Sequence, residues 1–389
     1  MAMNHASLIA ETGRCVACGL CLPYCPTYRK TYSEADSPRG RILLTQAVAQ
    51  GALPMNQRYI EHIDLCLACR ACERACPNHV HFGTIIDQAR AMIREKHAPS
   101  LPHRLAAYIV SSPALLHAGA AALRLANMLG LQKVFKGLPT ASRPYRWKAS
   151  YPAPAAQGEV TLFLGCLSNA LDTETLAASV FVLNRLGYTV RIPSTQTCCG
   201  GLHHQAGDSA GAAALDERNQ EAFSPFDSLP VLTVASGCGT RLLEFMPQRV
   251  QDINAFLAEA QGWETVQIKP LQARIALHEP CTLRNVFKTA AAPYALLQRI
   301  PDAEIRPLPG NGQCCGGAGS YMLTQPAMAN SLRDDKIAAC IQLAPDYLVT
   351  SNIGCTLHLA NGLNEAGLKV KLVHPVVLLA KQMGFDGTL

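Results

Sequence analysis

Cysteine is the residue through which this sequence can do chemistry, with 17 of them in 389 residues. Eight form two runs of the same pattern, in which two residues separate the first three cysteines and three residues precede the fourth, which a proline follows. This is the spacing that holds [4Fe–4S] clusters in bacterial ferredoxins, where the fourth cysteine of each run ligates the cluster of the other run. The spacing therefore predicts one cluster on Cys15, Cys18, Cys21 and Cys76, and a second on Cys66, Cys69, Cys72 and Cys25.

The 40 residues between the two runs contain the segments RILLTQAVAQG and QRYIEHIDLC, whose apolar residues recur at helical spacing. A helical two-cluster domain over residues 1–100 is the prediction, rather than a compact strand-rich ferredoxin. Iron–sulfur clusters move single electrons and do no acid–base work, so this domain is predicted to carry electrons between other groups.

Eight further cysteines form an internal repeat in the second half of the chain. The two sets are Cys166, Cys198, Cys199 and Cys238, then Cys281, Cys314, Cys315 and Cys355. The distance from the first cysteine to the adjacent pair is 32 residues in one set and 33 in the other, and TCCGG in the first matches QCCGG in the second. The repeat indicates a tandem duplication.

Each copy is a candidate site for a further group. Adjacent cysteines cannot both face one small ion without strain, but they can contact different atoms of a larger cluster. Three alternatives stay open for these cysteines: a further iron–sulfur cluster, zinc, or thiols that hold no metal. The nearby histidines are interpreted as hydrogen-bonding residues rather than ligands, and Cys340 as a packing residue. These histidines are His203, His204, His278 and His358.

The elements that must position these cysteines alternate between strands and helices. In the first copy VTLFLG, YTVRI and VLTVAS read as strands, and in the second RIALHE and YLVTS do so. Helices are predicted over 173–186, 282–299 and 324–343. The fold class is α+β multidomain: the helical two-cluster domain, a helical and linker segment over 101–158, and two cysteine-rich α/β domains with small parallel sheets over 159–270 and 271–389.

Several classes of protein are disfavoured. A secreted disulfide framework fits neither the odd cysteine count nor an N-terminus that lacks a basic region before an apolar run. Cluster thiolates would offset the formal charge of +6, so no nucleic-acid partner is predicted. No 18-residue apolar run occurs; the stretch 115–131 is interpreted as a helix packed on its own protein, with a membrane-surface helix as the open alternative. No dinucleotide-binding glycine pattern is present, so no flavin is predicted on this chain.

The two ferredoxin-type runs followed by two Cys…Cys-Cys-Gly…Cys copies resemble the glycolate oxidase (glycolate dehydrogenase) iron-sulfur subunit family over 11–385. The segments CPTY, SPRGRI, CLACRACERACP, ASGCGT, PCTL, CCGGAGSY and SNIGCTLHLA carry the resemblance. It implies that the eight N-terminal cysteines are cluster ligands and that partner FAD-containing subunits oxidise glycolate to glyoxylate, or lactate. Electrons would then pass toward quinone or another membrane acceptor. No catalytic residue is expected on this chain, and its implied location is cytoplasmic, peripheral on the inner face of the membrane.

Two alternatives remain within the wider group that the sequence resembles. One is the iron–sulfur subunit of anaerobic glycerol-3-phosphate dehydrogenase. The other is a heterodisulfide-reductase-like thiol/disulfide oxidoreductase in which the cysteine pairs react. The last cysteine of each copy does not start a C-x-x-C, because Arg241 and His358 stand three residues later. This departure speaks against a double-cluster disulfide-reducing site.

Overall fold

The computed structural model describes residues 5–98, 101–131 and 141–389. Its N-terminal part is helical, as predicted. The helices are α1 (His5–Gly13), α2 (Pro26–Thr31), α3 (Pro38–Ala49), α4 (Gln57–Asp64), α5 (Ala71–Arg74) and α6 (Phe82–Lys96). Helix α3 starts where Ser37 Oγ accepts a hydrogen bond from the backbone N–H of Gly40 and Pro38 occupies the first helical position. The apolar faces of these helices enclose a core around Ile63, Ile85 and Ile86.

The first cysteine-rich copy is built on a mainly parallel sheet. In its described part the strand order is β1-β3-β2-β4-β5, and only β1 is antiparallel. The strands are β1 (Ser150–Tyr151), β2 (Gly158–Phe163), β3 (Tyr188–Arg191), β4 (Val231–Thr233) and β5 (Val250–Asp252). Helices α9 (Cys166–Leu171), α10 (Thr173–Arg185), α11 (Gly201–Gln205), α12 (Ser209–Phe223), α13 (Ser236–Phe245) and α14 (Ile253–Glu259) alternate with them. The segment predicted as linker thus contributes a strand to this sheet.

The second copy has a fully parallel sheet in the order β7-β6-β8-β9 among the described residues. Its strands are β6 (Ala273–Leu277), β7 (Ala303–Pro307), β8 (Tyr347–Val349) and β9 (Lys371–Val373). Its helices are α15 (Ala292–Leu297), α16 (Tyr321–Thr324), α17 (Pro326–Leu343), α18 (Ile353–Glu365) and α19 (Pro375–Gln382). The helix predicted over 282–299 is broken into a π-turn at Leu283–Phe287 and α15, because Lys288 adopts a left-handed conformation at φ 60°.

The two copies share one hydrophobic core. Leu176 and Leu183 of α10 belong to the same cluster of buried side chains as Leu296 of α15 and Leu379 of α19, so the last helix of the chain packs against the first copy. Polar contacts also join the strand ends of the two copies. Ser236 Oγ lies 2.7 Å from Thr282 Oγ1, and the backbone N–H of Gly237 donates to Asn352 Oδ1 at 2.9 Å.

A helical pair, α7 (Leu101–Ser111) and α8 (Pro113–Met128), lies between the cluster-binding part and the first copy. Helix α7 contacts α11, and Ser111 Oγ lies 2.6 Å from His203 Nε2. Among the described residues no single helix has the length and apolarity to cross a membrane, although 104–111 and 113–128, bent by 99°, meet those criteria as a pair.

Candidate functional site

The first cavity is lined by Cys15, Cys18, Cys21 and Cys76, and also by Cys72 of the other predicted set. It encloses about 460 Å³ including its open mouth, and its walls are almost entirely apolar. The cavity lies at the surface, because Cys18 is exposed and the neighbouring Val16 and Leu20 are 67% and 57% exposed.

The second cavity brings together the thiols of Cys25, Cys66, Cys69 and Cys72 around about 300 Å³. It is more enclosed by protein than the first, since three of these four cysteines are buried. Phe82 lines both cavities, so the two sites are immediate neighbours. Each predicted ligand set thus lines one cavity, and Cys72 lines both. That these thiolates hold clusters stays a prediction.

The loops around the two cavities share one backbone conformation. Ala17 and Gly19 in the first run have positive φ, and so do Ala68 and Arg70 at the matching positions of the second. A non-glycine residue in this region costs on the order of 1 kcal/mol, and it persists where the fold requires it. Alternating backbone conformations of this kind turn N–H groups toward an anionic group, as in many iron–sulfur sites. The N–H of Ala68 already donates to Cys66 Sγ at 3.4 Å.

The donor set of both cavities fits iron–sulfur clusters. Burial raises the pKa of the Cys21 thiol to about 11, and burial raises the pKa values of Cys69 and Cys72 well above normal. Without metal these thiols stay protonated at neutral pH. A bound metal takes the place of the proton and offsets the charge of the buried thiolate. The cavities therefore suit metal-bound thiolates better than free ones.

Two buried arginines place positive charge at the second cavity. Arg41 is 1% exposed, and its Nη1 lies 4.0 Å from Cys25 Sγ and 3.0 Å from Thr27 Oγ1. Arg90 donates to the carbonyl of Cys66 at 2.6 Å. These cations would compensate the negative charge of metal-bound thiolates in this cavity. The predictions from sequence did not include them, since only their place in the fold brings them to the cysteines.

The first cysteine-rich copy gathers four thiols at the carboxyl edge of its sheet. Cys198 contacts the sulfurs of Cys166 and Cys199, and Cys199 in turn contacts Cys238. Hydrogen bonds from Cys198 and Cys238, aided by the nearby Arg241 guanidinium, hold the pKa of Cys199 well below its usual range. Cys199 is therefore the thiol whose ionised form its neighbours favour.

The second copy repeats the chain of sulfurs with a different neighbour. Cys281 Sγ lies 3.8 Å from Cys314 Sγ, and Cys315 contacts both Cys314 and Cys355. The hydrogen bond from Cys281 to Cys314, together with burial, raises the pKa of Cys281. His278 is fully buried beside this group, and burial lowers its pKa to about 3, so the imidazole is neutral. His278 Nδ1 lies 2.9 Å from Thr350 Oγ1, a hydrogen-bonding contact of the kind interpreted from the sequence.

The second copy also covers the second cavity. Leu67, Cys69, Cys281, Cys314 and Tyr321 belong to one apolar cluster. Asn285 Nδ2 donates to the carbonyl of Cys69 at 2.8 Å, and Tyr321 Oη donates to the carbonyl of Leu65 at 2.9 Å. The thiols of the second copy are thus adjacent to the enclosed cavity.

The remaining predicted residues lie away from the sulfurs or act through hydrogen bonds. His203 contacts Asp208 at 2.8 Å and His204 contacts Asp87 at 3.3 Å, so both join elements of the fold. His358 contacts the carbonyl of Ala329 at 3.0 Å. Cys340 is buried in the apolar core of the second copy.

Comparison with known families places these sites in a class of protein. Residues 11–80 match the 4Fe-4S dicluster domain family, and residues 160–243 and 275–360 match the cysteine-rich domain family. The chain is therefore an iron–sulfur protein with a helical dicluster domain followed by two cysteine-rich α/β domains, which confirms the predicted fold class.

Full-length relatives define the family more narrowly. The glycolate oxidase iron-sulfur subunit of Escherichia coli (strain K12) is 31% identical over 93% of this chain and 93% of its own length. A Bacillus subtilis (strain 168) protein named for the same subunit is 30% identical over 96% and 94%. The fumarate reductase (CoM/CoB) of Methanothermobacter marburgensis has one subunit that is 27% identical over 94% and 71%. The chain belongs to the glycolate oxidase iron-sulfur subunit family, and it is an electron-transfer subunit of an oxidoreductase.

Proposed function

We propose that this chain receives electrons from an FAD-containing partner subunit that oxidises a 2-hydroxy acid, glycolate to glyoxylate first and lactate second, and delivers them toward quinone. The observation that carries the proposal is the pair of neighbouring cysteine-lined cavities, one open at the surface and the other enclosed by the second copy. The names of the full-length relatives support glycolate as the substrate of the complex.

The proposal assigns the ligands and the parts of the chain as follows. Cys15, Cys18, Cys21 and Cys76 hold one [4Fe–4S] cluster, and Cys66, Cys69, Cys72 and Cys25 hold a second. The thiols of the two cysteine-rich copies are further cluster, zinc or thiol sites. The chain divides into a cluster domain over 1–100, a helical and linker segment over 101–158, and cysteine-rich domains over 159–270 and 271–389.

The residues around the cavities have distinct tasks. When bound, such clusters take up and release single electrons. Val16 and Leu20 present an exposed apolar rim at the first cavity, against which the partner subunit docks. Leu67 and Tyr321 exclude water from the second cavity, and Arg41 offsets its negative charge. No residue of this chain contacts the hydroxy acid, since that reaction takes place on the partner's flavin.

A pull-down tests the partner. The tagged chain is isolated anaerobically from its own host, and bound flavin and glycolate-dependent dye reduction are measured. The wild type is expected to retain a flavoprotein that reduces dye with glycolate. Val16→Glu combined with Leu20→Glu should weaken this retention at least tenfold. Ile341→Glu, at an equally exposed position on α17, is the matched control and should retain the partner. A flavoprotein that responds only to glycerol 3-phosphate would replace the proposed substrate.

We also propose that α7 and α8 attach the chain to an anionic phospholipid surface. Large apolar side chains are exposed on α7, on α8 and just after them. These are Leu101, Leu105, Tyr108, Ile109, Leu115, Leu125, Met128, Leu129 and Leu131. The sequence between Glu95 and Glu159 contains eight lysines and arginines and no acidic residue. An apolar face beside basic residues is typical of helices that lie in the headgroup region of anionic membranes.

Vesicle flotation tests this attachment. The chain should float with vesicles containing phosphatidylglycerol and not with pure phosphatidylcholine, and salt should weaken the binding. Leu125→Glu with Met128→Glu should abolish flotation, whereas Leu323→Glu, exposed on α16, should leave it intact. Binding of this face to the flavoprotein, with no vesicle binding, would instead make it a protein interface.

The four contacting thiols of the first copy, those of Cys166, Cys198, Cys199 and Cys238, favour a second candidate function, a thiol/disulfide oxidoreductase. In such a reaction two electrons and two protons convert a disulfide into two thiols. Anaerobic alkylation distinguishes the two candidates. If alkylation of Cys199 stops turnover while the iron content is unchanged, the thiol function is supported. Full glycolate-dependent activity after alkylation supports the electron-transfer function alone.

A further inference from the structure

The second cysteine-rich copy contains a buried group of three metal-binding side chains. His278, Cys315 and Cys355 each offer one donor atom, and these three atoms lie within 4.8 Å of one another. All three residues are almost fully buried. Ligands 2.0–2.3 Å from a tetrahedral ion lie about 3.3–3.8 Å apart, so movements of about 1 Å close the three around one ion.

The first copy lacks the nitrogen donor. Phe163 stands three residues before the first cysteine of its copy, and His278 stands three residues before Cys281. In the first sheet, Phe163 is paired with Thr233. In the second sheet, Leu277 is paired with Val349, and the next residue, His278, contacts Thr350 through its side chain. The duplicated fold therefore has a phenylalanine and a histidine at the same place.

This phenylalanine belongs to an apolar environment. Its ring lies 6.2 Å from that of Phe223, and it packs in the same cluster as Cys198 and Cys199. At this position the first copy thus places an apolar ring in the cluster that holds its sulfurs, whereas the second places an imidazole there. The two copies have diverged at a position that changes the donor set.

Neighbouring residues orient the three donors in the second copy. His278 Nδ1 lies 2.9 Å from Thr350 Oγ1, and donation to that hydroxyl leaves the lone pair of the imidazole on Nε2. Asn352 Nδ2 donates to Cys355 Sγ at 3.4 Å, a hydrogen bond that suits a thiolate. Lys336, buried close to Cys314 and Cys315, supplies positive charge beside two sulfurs.

We propose that the second copy, and not the first, binds one tetrahedral zinc ion through His278, Cys315 and Cys355, with a non-protein ligand in the fourth position. Mixed imidazole and thiolate donors are those that zinc prefers, and three protein ligands are the number found in zinc sites that keep one position open. The inference holds whichever substrate the complex oxidises.

Metal analysis of the full chain, purified anaerobically, tests the site. Zinc, iron and acid-labile sulfide are measured together, because the first reports this site and the other two report the N-terminal cavities. The wild type should contain about one zinc per chain. His278→Phe, which copies the first repeat, and Cys355→Ser should lower zinc at least tenfold with iron and sulfide unchanged. Cys238→Ser, the equivalent change in the first copy, is the matched control and should keep the zinc.

X-ray absorption at the zinc edge identifies the ligands. The expected shell contains two sulfurs at about 2.3 Å and nitrogen or oxygen at about 2.0–2.1 Å. His278→Cys keeps a soft donor and is expected to retain zinc, with a third sulfur in the shell. This variant keeps the proposal testable even if His278→Phe misfolds. Any one of four results would overturn the proposal. They are only background zinc in the wild type, zinc retained in both His278→Phe and Cys355→Ser, an equal loss of zinc in Cys238→Ser, and iron as the additional metal.

Discussion

Replacing Arg41 by glutamine should lower the midpoint potential of the cluster proposed on Cys25, Cys66, Cys69 and Cys72. The Arg41 guanidinium is buried, and its Nη1 lies 4.0 Å from Cys25 Sγ. Reduction adds an electron to the cluster, and a nearby cation stabilises the reduced state more than the oxidised state. Removal of the cation therefore disfavours reduction, and the potential falls.

The magnitude follows from the distance. Two unit charges 4.0 Å apart interact by about 4 kcal/mol at an effective dielectric constant of about 20. The added electron is spread over the whole cluster, and Asp36, whose Oδ1 lies 3.7 Å from Arg41 Nη2, opposes the cation. These effects reduce the net interaction between Arg41 and the added electron to about 1–2 kcal/mol. For a one-electron couple, 59 mV corresponds to a tenfold change or about 1.4 kcal/mol, so the expected fall is about 40–85 mV.

An anaerobic redox titration monitored by electron paramagnetic resonance measures both clusters in the same sample. Arg39→Gln is the matched control. Arg39 donates to the carbonyl of Ala17 in the first cluster loop, but it is partly exposed and paired with Glu34 at 2.6 Å. Solvent and its partner screen this charge, so the potential of the first cluster should change by less than about 20 mV. Arg41→Lys, which keeps the charge, should shift the second potential by less than half of the glutamine effect.

The potentials are compared only for variants whose iron and sulfide contents match the wild type and whose circular dichroism spectrum is unchanged. The reasoning is refuted if Arg41→Gln shifts both clusters equally, raises the second potential, or leaves it within about 10 mV. An equal shift would mean that the substitution acts through the fold rather than through local charge.

In metal-free protein, iodoacetamide at pH 8 should label the exposed Cys18 at least tenfold faster than Cys21, whose pKa is raised to about 11 by burial; equal rates by mass spectrometry would contradict this. His374 has its pKa lowered to about 3 by burial, so below about pH 6.5 the unfolded chain takes up a proton that the folded chain excludes. The free energy of unfolding should fall by about 2 kcal/mol between pH 7 and pH 5 relative to His374→Asn, measured by urea unfolding; parallel pH profiles would argue against it. Gly317→Ala should lower the melting temperature by several degrees, since the new Cβ would lie 2.7 Å from the carbonyl oxygen of Gly354; an unchanged melting curve would show that the backbone adapts.

Local patterns allow much of the fold to be predicted. The helices of the N-terminal part and the alternation of strand and helix in both copies follow from periodicity. Helix α10 (Thr173–Arg185) lies within the helix predicted over 173–186, with Gly187 at φ 84° just after it. The two-residue strand Ser150–Tyr151 is not predictable in this way, because so short a segment has no period and gains its hydrogen bonds only from β3. The break at Lys288 escapes prediction for a related reason: the surrounding residues have ordinary helical composition.

The surroundings of the sulfurs are less predictable. The approach of Cys281 to Cys69 joins residues more than 200 positions apart, and no local pattern encodes it. Arg41 is likewise ordinary in sequence and becomes distinctive only when folding buries it beside Cys25. His278 does leave a signal, since aligning the two copies puts it opposite Phe163. That comparison predicts unequal chemistry in two copies of one fold.

The packing of α19 against α10 makes the two copies a single cooperative unit. A chain cut between the copies would expose the apolar surface of Leu176, Leu183 and Leu379 to water in both fragments. Heating should therefore unfold both copies in one transition, and limited proteolysis should not release either as a stable fragment. Neither copy can be lost or exchanged alone without destroying the other. This mutual dependence preserves the architecture while each set of thiols remains free to acquire its own ligands.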